Sequence, residues 1–207
     1  MLENIILMAD VIGSRNLDQN LLYVGLKQLV MEINSDCRDI LLSPLTITLG
    51  DEFQGVARDL TAALEIIVNI EEMLISKGKG FKFRYVVVEG TINTPINPEI
   101  AYGMLGEGLT KARDYITAFK DSRLRFHFYL NSNKKAEALN NLFIIYQDYI
   151  DAWNIEKDYK IAGELIKYRD YKKVAEITHM SRSQIWKKEK TLKMEQYNAV
   201  KNIILAG

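Results

Sequence analysis

The pattern of hydrophobic and polar residues divides the chain into a mixed first part and a helical second part. In the first part, apolar segments of strand length alternate with longer stretches in which apolar residues recur every three to four positions. The predicted strands cover residues 4–12, two closely joined segments within 40–58, 81–90 and 124–130. The predicted helices cover residues 17–33, 59–76 and 107–120, and a loop with Pro and Gly residues spans 91–106.

The order of these elements predicts an α+β fold. The succession β-α-β-β-α-β, followed by a loop, a helix and a strand, can form an antiparallel or mixed sheet in the ferredoxin-like manner. In that arrangement we expect the helices to pack on one face of the sheet. Another α+β sandwich is the alternative that the same order allows.

Beyond residue 131 the apolar residues keep a helical period, and no strand pattern recurs. A connecting helix is predicted within 132–156, and further helices cover residues 159–169, 171–178, 181–191 and 193–205. Ser181 is a favourable N-cap for the helix that follows it. We therefore predict a mixed domain at 1–131 and an all-α domain at 157–207. The last helix either packs on its own domain or forms a dimer contact.

Composition narrows the class of protein. The chain has 207 residues, of which 48% are hydrophobic and 26% charged, which suits a soluble protein with a packed core. No segment approaches the run of about 20 apolar residues that spans a bilayer. The first residues lack the basic region of a signal peptide. A single cysteine, Cys37, leaves no disulfide to form within the chain, so we expect a cytoplasmic protein without a membrane partner.

Charge is distributed unevenly although the net charge is zero. Residues 1–150 hold 15 Lys and Arg against 19 Asp and Glu, whereas residues 151–207 hold 12 against 8. The two parts therefore carry opposite net charges, which indicates different partners. A basic tail is compatible with nucleic acid, although this excess alone does not establish it.

Acidic residues interrupt two apolar segments that a ferredoxin-like order places side by side. Asp10 lies near the end of the first strand, and Asp51 and Glu52 follow Gly50 in the hairpin of the next two strands. A buried carboxylate is costly unless a cation or a hydrogen-bonding partner compensates it. Mg²⁺ favours one or two carboxylates together with waters and substrate phosphates. We therefore predict a magnesium site formed by Asp10 and Asp51. A site without a ligand and a plain surface turn are the alternatives.

The turn after the first strand predicts a phosphate contact beside these carboxylates. Gly13 and Ser14 offer backbone N–H groups where the chain enters the next helix, and Arg15 adds a positive charge. The residues themselves therefore predict a phosphate-bearing partner for the first domain, and the resemblance described next implies that this partner is a nucleotide.

Two short segments resemble nucleotidyl cyclases. ADVIGS at residues 9–14 is similar to the first metal-binding strand of class III cyclases, and LGDEF at 49–53 is similar to the GGDEF hairpin of diguanylate cyclases. The resemblance covers roughly residues 1–130 and implies a cyclase-like palm domain. It also implies that Asp10 and Asp51 hold metal ions on a nucleoside triphosphate, with Glu52 as a third ligand.

A third segment resembles the cyclases less closely. GEGLTKAR at 106–113 is similar to the stretch in which class III cyclases place a catalytic Asn and Arg, but Thr110 stands where the Asn is expected. The resemblance implies phosphate binding by Lys111 and Arg113, and solvated helix charges are the alternative. Because cyclisation needs charge stabilisation where charge develops, the missing Asn predicts binding rather than turnover.

The helical tail resembles a bacterial helix-turn-helix. The segment YKKVAEITHMSRSQIWKKEKT (171–191) places small and apolar residues where two short helices would meet, with the second helix starting at Ser181. The resemblance implies DNA binding by the outward residues of that second helix. These residues are Arg182, Ser183, Gln184, Lys187 and Lys188. Arg and Gln read base edges and Lys contacts phosphates. A dimerisation or packing module is the alternative.

Taken over its whole length, the chain resembles the SatD family of bacterial proteins. The segments that carry the resemblance are ADVIGSR, TLGDEFQG, GEGLTKAR and the C-terminal helix-turn-helix. The favoured interpretation is a cytoplasmic regulator with a palm that binds a nucleotide and Mg²⁺ and a tail that binds DNA, and the family implies a role in acid or stress adaptation. A cyclase-like nucleotide-processing enzyme and a degenerate palm that serves as an interaction protein are the alternatives.

Overall fold

The structure, a computed structural model, describes residues 3–206 and has the predicted order of elements. The strands are β1 (Glu3–Val11), β2 (Leu41–Ile47), β3 (Glu52–Ala57), β4 (Phe83–Thr91) and β5 (Phe126–Tyr129). The helices are α1 (Gln19–Asp36), α2 (Leu60–Ser76), α3 (Glu107–Ala118), α4 (Asn133–Asp151), α5 (Tyr159–Tyr168), α6 (Tyr171–Thr178), α7 (Arg182–Thr191) and α8 (Met194–Ala206). The predicted α+β class is thereby confirmed.

The five strands form one sheet in the order β2-β3-β1-β4-β5. β1 is antiparallel to both β3 and β4, β2 is antiparallel to β3, and β5 is parallel to β4. The first four strands together with α1 and α2 make the ferredoxin-like arrangement. β5 extends that sheet after a crossover through α3. This sheet with α1, α2 and α3 is called the palm below.

Helices cover both faces of the sheet, so the expectation that they pack on one face is wrong. α1 and α2 cover the face that holds the main core, and α3 covers part of the other face. The smaller core under α3 consists of Ile6, Met8, Val86, Val88, Ala112 and Ile116. The physical reason is visible in β1, whose residues from Ile5 to Val11 are all buried. A strand buried on both faces needs a helical layer on each side.

Amide side chains close both edges of the sheet. Asn34 of α1 donates from Nδ2 to the Leu45 carbonyl (2.8 Å), and its Oδ1 accepts from the Leu45 N–H (2.7 Å). At the opposite edge, Asn140 of α4 makes the same pair of bonds with the backbone of Phe128, at 3.0 and 3.1 Å. Each amide satisfies the backbone groups that an edge strand would otherwise expose.

The helical tail packs against the palm and shares its core. α5 and α8 lie on α2, and α8 also contacts α4. One continuous cluster of buried side chains runs from β1 through α2 to Tyr197 and Ile204 of α8. The palm and the tail therefore share one core, and the predicted separate all-α domain at 157–207 is not confirmed. Within residues 3–206, no helix combines the length and the hydrophobicity that crossing a membrane requires.

A close contact between α5 and α2 gives a direct test of this docking. A Cβ added at Gly163 would lie 2.8 Å from the Ser76 Cα, so the helices must separate to admit it. We expect Gly163→Ala to lower the free energy of unfolding by about 1–3 kcal/mol, the usual range for overpacking. Denaturant titration measures this loss. Gly80→Ala is the matched control, since no atom lies within 4 Å of its added Cβ. Equal free energies of unfolding for the two variants would refute the close contact.

Candidate functional site

Three charged side chains form a row across the middle of the sheet. The register pairs Asp10 of β1 with Glu52 of β3 on one side and with Arg84 of β4 on the other. Directly paired residues of neighbouring strands project from the same face, so the three lie on the face that also carries α3. All three are buried, with exposures of 6% for Asp10, 8% for Glu52 and 3% for Arg84. A row of buried charges in a sheet is costly unless its members compensate one another.

Arginines neutralise both carboxylates of this row. Arg84 Nη1 donates to the two oxygens of Asp10 at 2.9 and 3.1 Å, and Arg84 Nη2 donates to the Lys120 carbonyl at 2.5 Å. Glu52 forms an ion pair with Arg113 of α3. Burial raises the pKa of Asp10, although the Arg84 charge and hydrogen bond act to lower it and Glu52 raises it further. The Nε of Arg84 is buried without a hydrogen-bond partner.

A cleft of about 830 Å³ opens beside Asp10 and Arg84, at the end of β1. Its floor is formed by the row of charges, and its wall by the turn after β1. The Val11 N–H donates to the Asp51 carbonyl at 3.0 Å, which ties the β2–β3 hairpin to the end of β1. Further lining residues are Gly13, Ser14, Arg15, Asn16, Gln19, Leu22, Tyr23, Leu49, Gly50, Asp51, Lys120 and Asp121. This space is called the cleft below.

The residues predicted to contact phosphate at the β1 turn line the cleft. Gly13 has a φ of 66°, a left-handed conformation that glycine adopts readily, and it starts the short 3₁₀ turn Ser14–Asn16. Arg15 is exposed at this turn. α1 begins later, and Asp18 caps it by accepting from the N–H groups of its first turn. The start of α1 is thus satisfied internally, and the turn itself faces the cleft.

The predicted metal ligands do not form a ligand set as they are arranged. Within residues 3–206, no group of three or more Asp, Glu, His or Cys side chains is placed to hold a metal ion. Asp10 and Glu52 already direct their oxygens to Arg84 and Arg113, while Asp51 lies at the hairpin on the cleft wall. These residues therefore do not fit a divalent cation in this arrangement, and the magnesium site stays a prediction from the sequence.

The two phosphate-binding residues predicted on α3 lie outside the cleft. Lys111 pairs with Glu107 one turn earlier and lines a separate surface depression next to Tyr129. Arg113 pairs with Glu52 and lines a different surface pocket next to Tyr102 and Thr110. The physical reason is the placement of α3 across the sheet, which puts Gly108 and Ala112 against the strands and turns Lys111 outward.

Two residues of the site were missed by the sequence interpretation. Arg84 is the one charged residue within 83–88 and is buried there, and that charge was the available signal for a partner such as Asp10. Lys120 follows α3 and carries no such signal, because only the fold brings its backbone carbonyl to Arg84.

The predicted DNA-binding residues are placed on α7, but not all of them are free. Ser181 caps the helix and forms the reciprocal capping box with Gln184, which engages the Gln184 side chain. Lys188 turns back to Asp158 at 2.5 Å. Arg182 forms an exposed pair with Glu176 at 3.5 Å, whereas the side chains of Ser183 and Lys187 are exposed.

Comparisons with known proteins give one matching family model and several similar solved structures. A model of the SatD family matches residues 4–204. Among solved structures, a bacterial light-regulated adenylyl cyclase matches with a TM-score of 0.45 and 14% identity, over 61% of this chain and 75% of that chain.

The guanylate cyclase domain of RhGC from Catenaria anguillulae in complex with GTP matches with a TM-score of 0.40 and 16% identity, over 61% of this chain and 78% of that chain. The catalytic core of a rhodopsin-guanylyl cyclase with converted specificity, in complex with ATPalphaS, gives a TM-score of 0.43 and 15% identity, over 61% and 77% of the two chains. Comparison with curated proteins finds no match.

Proposed function

The chain belongs to the SatD family, and we propose that its cleft binds a phosphate-bearing ligand of the nucleotide class. The observation that supports this proposal is the chemistry of the cleft. Its floor holds the buried pair of Asp10 and Arg84, and its rim carries the cationic side chains Arg15 and Lys120 beside the β1 turn. A phosphate group would be stabilised there by the cationic donors at the opening of the cleft.

The size of the cleft and two of its exposed side chains suit a nucleotide better than an isolated phosphate ion. Small-molecule sites usually enclose about 300–1,000 Å³, and the cleft has about 830 Å³. Tyr23 and Leu49 line it with exposed fractions of 51% and 63%. An aromatic ring and an aliphatic side chain at the opening offer a surface for a nucleobase, while the β1 turn faces the phosphates.

The placement of Thr110 supports binding without cyclisation. Its hydroxyl donates to the Gly106 carbonyl at 3.3 Å, and the residue lies outside the lining of the cleft. The side chain that stands where cyclases carry the Asn is therefore engaged in its own helix. A stabilising donor aimed at developing charge would have to come from elsewhere in the chain.

We expect Arg15→Ala and Lys120→Ala to weaken nucleotide binding by about tenfold each, since each removes one charge-assisted contact. Isothermal titration and thermal shift with a panel of nucleoside mono-, di- and triphosphates measure this loss. Lys111→Ala is the matched control, because that lysine is also exposed but pairs with Glu107 outside the cleft. The proposal fails when no nucleotide of the panel raises the melting temperature of the wild-type chain.

The same titrations test the magnesium prediction. They are carried out in EDTA and in excess Mg²⁺, on the wild type and on Asp51→Ala. A magnesium site predicts binding that depends on the ion and is lost in the variant. Binding that persists in EDTA would contradict the magnesium prediction. The ligand would then bind while Asp10 and Glu52 remain paired with Arg84 and Arg113.

A second function, DNA binding by α6 and α7, is supported by a separate observation. α6 and α7 pack on each other across a turn at His179, which has a φ of 56°, and α7 starts with the capping box at Ser181. The exposed side of α7 is basic and unobstructed by the palm. This geometry suits a helix that enters the major groove.

We expect duplex affinity to fall steeply as salt rises, because lysine contacts to phosphates release counterions. Lys187→Ala should weaken binding to all sequences alike and should reduce the slope of log affinity against log salt by about one. Fluorescence anisotropy of a labelled mixed-sequence duplex measures both. A wild-type chain that leaves the anisotropy unchanged at low salt would exclude this function.

A further inference from the structure

α7 presents a continuous outward strip that differs from the set of residues predicted from the sequence. Its inward side is fixed by Ile185, which is 0% exposed, and by Leu192 at the following cap, which is 4% exposed. Residues three and four positions apart share one side of a helix. The opposite side is therefore formed by Ser183, Trp186, Lys187 and Lys190, and all four are exposed. These four residues are called the α7 strip.

Three of the five predicted DNA-binding residues are engaged within the chain. Gln184 accepts from the N–H and hydroxyl of Ser181 at 2.9 Å each, and Lys188 donates to Asp158 at 2.5 Å. Arg182 is directed to Glu176 across the α6–α7 turn. Only Ser183 and Lys187 of that set belong to the α7 strip, and Trp186 and Lys190 complete it. Lys190 forms an exposed pair with Glu195 at 3.5 Å, which a phosphate contact would have to replace.

Trp186 is the unusual member of the strip. Its side chain is 47% exposed and stands between basic residues, whereas the other tryptophan, Trp153, is 4% exposed and donates from Nε1 to the Leu192 carbonyl at 3.0 Å. Single exposed hydrophobic side chains are common on protein surfaces, but an indole beside lysines combines an apolar contact with cationic ones. Charge complementarity with Lys187 and Lys190 specifies an anionic partner.

We infer that the α7 strip is the face that meets duplex DNA, and that Trp186 makes the apolar contact with thymine methyl groups in the major groove. This inference rests on the proposed DNA-binding function. The major groove admits an α-helix and exposes the thymine methyl group to apolar side chains. In that position Lys187 and Lys190 reach the phosphates on either side of the indole.

The two tryptophans provide the test. Titrating the full chain with a short mixed-sequence duplex should change the emission of Trp186, while a labelled copy of the duplex reports binding by anisotropy. Trp186→Phe should abolish the emission change, since Trp153 is buried, and Trp186→Ala should weaken binding by about three- to tenfold. The wild type should bind a duplex with uracil in place of thymine more weakly than the thymine duplex. Trp186→Ala should bind the two duplexes with equal affinity.

Charge variants distinguish the strip from the rest of the helix. Lys187→Ala and Lys190→Ala should each weaken binding, whereas Lys188→Ala should stay within about twofold of the wild type. Lys160→Ala removes an exposed charge from α5 and shows how much affinity is lost when the net charge falls by one away from the strip. It replaces Lys188→Ala as the control where that variant impairs folding. Melting temperatures are measured for every variant, and only variants that melt like the wild type are compared.

Several outcomes would overturn the inference while leaving DNA binding intact. These are a rise in anisotropy with unchanged Trp186 emission, an equal loss for Lys188→Ala and Lys187→Ala, and tighter binding of a single strand than of the duplex. Absence of any anisotropy change in the wild type would instead remove the proposed DNA-binding function itself, and the inference with it.

Discussion

Arg125→Met is expected to lower the free energy of unfolding by roughly 3–5 kcal/mol, the range observed when one partner of a buried ion pair is removed. Arg125 is 3% exposed and donates to both oxygens of Glu71 at 3.0 Å. It also donates to Asp151 at 3.0 and 3.2 Å and to the Phe83 carbonyl at 2.9 Å. Methionine fills the space but leaves the carboxylate of Glu71 buried without its cation.

The position of Arg125 explains why the effect should be large. Its side chain joins β4, α2 and α4, and the Tyr85 hydroxyl donates to the same Glu71 carboxylate at 2.8 Å. Burial and the Glu71 charge raise the pKa of Tyr85 well above its ordinary value, so its hydroxyl stays a donor throughout the accessible pH range. Losing Arg125 therefore disturbs several members of one network.

Denaturant titration measures the free energy of unfolding of Arg125→Met. The reference is a variant of the exposed pair of Glu107 and Lys111. Lys111→Ala should leave the free energy of unfolding close to that of the wild type, because the pair is exposed to solvent on both sides. A loss for Arg125→Met no larger than for Lys111→Ala would show that the network does not stabilise the fold. Glu71→Leu combined with Arg125→Met should recover part of the loss, since it removes the unpaired charge together with its partner.

The sequence was sufficient to predict the elements because their signals are local. The periodicity of α2, the cap at Ser181 and the strand segment that contains Asp10 are each recognised within a short window of residues. Element order then led to the ferredoxin-like core, since few sheets accommodate β-α-β-β-α-β. The correct placement of helices on both faces of the sheet was also indicated by a local pattern. β1 reads as a continuous apolar segment, which is typical of a strand covered on both faces.

The site was predicted less completely because pairing partners are set by strand register. The sequence identifies Asp10 and Glu52 as unusual acids, but the choice between a metal ion and arginines depends on residues far away in the chain. Arg84 becomes the partner of Asp10 only through the β1–β4 register, and Arg113 meets Glu52 only because α3 crosses that face. Local pattern cannot specify such contacts.

The docking of the tail was hidden for a related reason. α2 is apolar around much of its circumference, and its buried residues include Ala62, Ile66, Ile70 and Leu74. A helix that is hydrophobic on more than one side requires partners on more than one side. The sequence therefore held a sign that α2 is covered by more than the sheet, although it did not say that α5 and α8 supply the cover.

A chain truncated after residue 156 is expected to lose cooperative folding altogether. The removed part contains Tyr197, which is 0% exposed and packs on the rings of Tyr146 and Trp153 with centroid distances of 5.8 and 5.0 Å. It also contains Lys201, which pairs with Glu72 of α2. Truncation would expose the apolar surfaces of α2 and α4 to water, at roughly 25 cal/mol for each Å² uncovered.

Calorimetry and circular dichroism of the two chains test this expectation. The full chain should unfold in a single transition whose calorimetric and van't Hoff enthalpies agree, as one shared core requires. The truncated chain should show no sharp transition and little protection from hydrogen exchange in α2. A sharp transition in the truncated chain, near the melting temperature of the full one, would mean that the palm folds alone. The tail would then be a domain that docks on the palm, because removing part of a shared core would abolish cooperative unfolding.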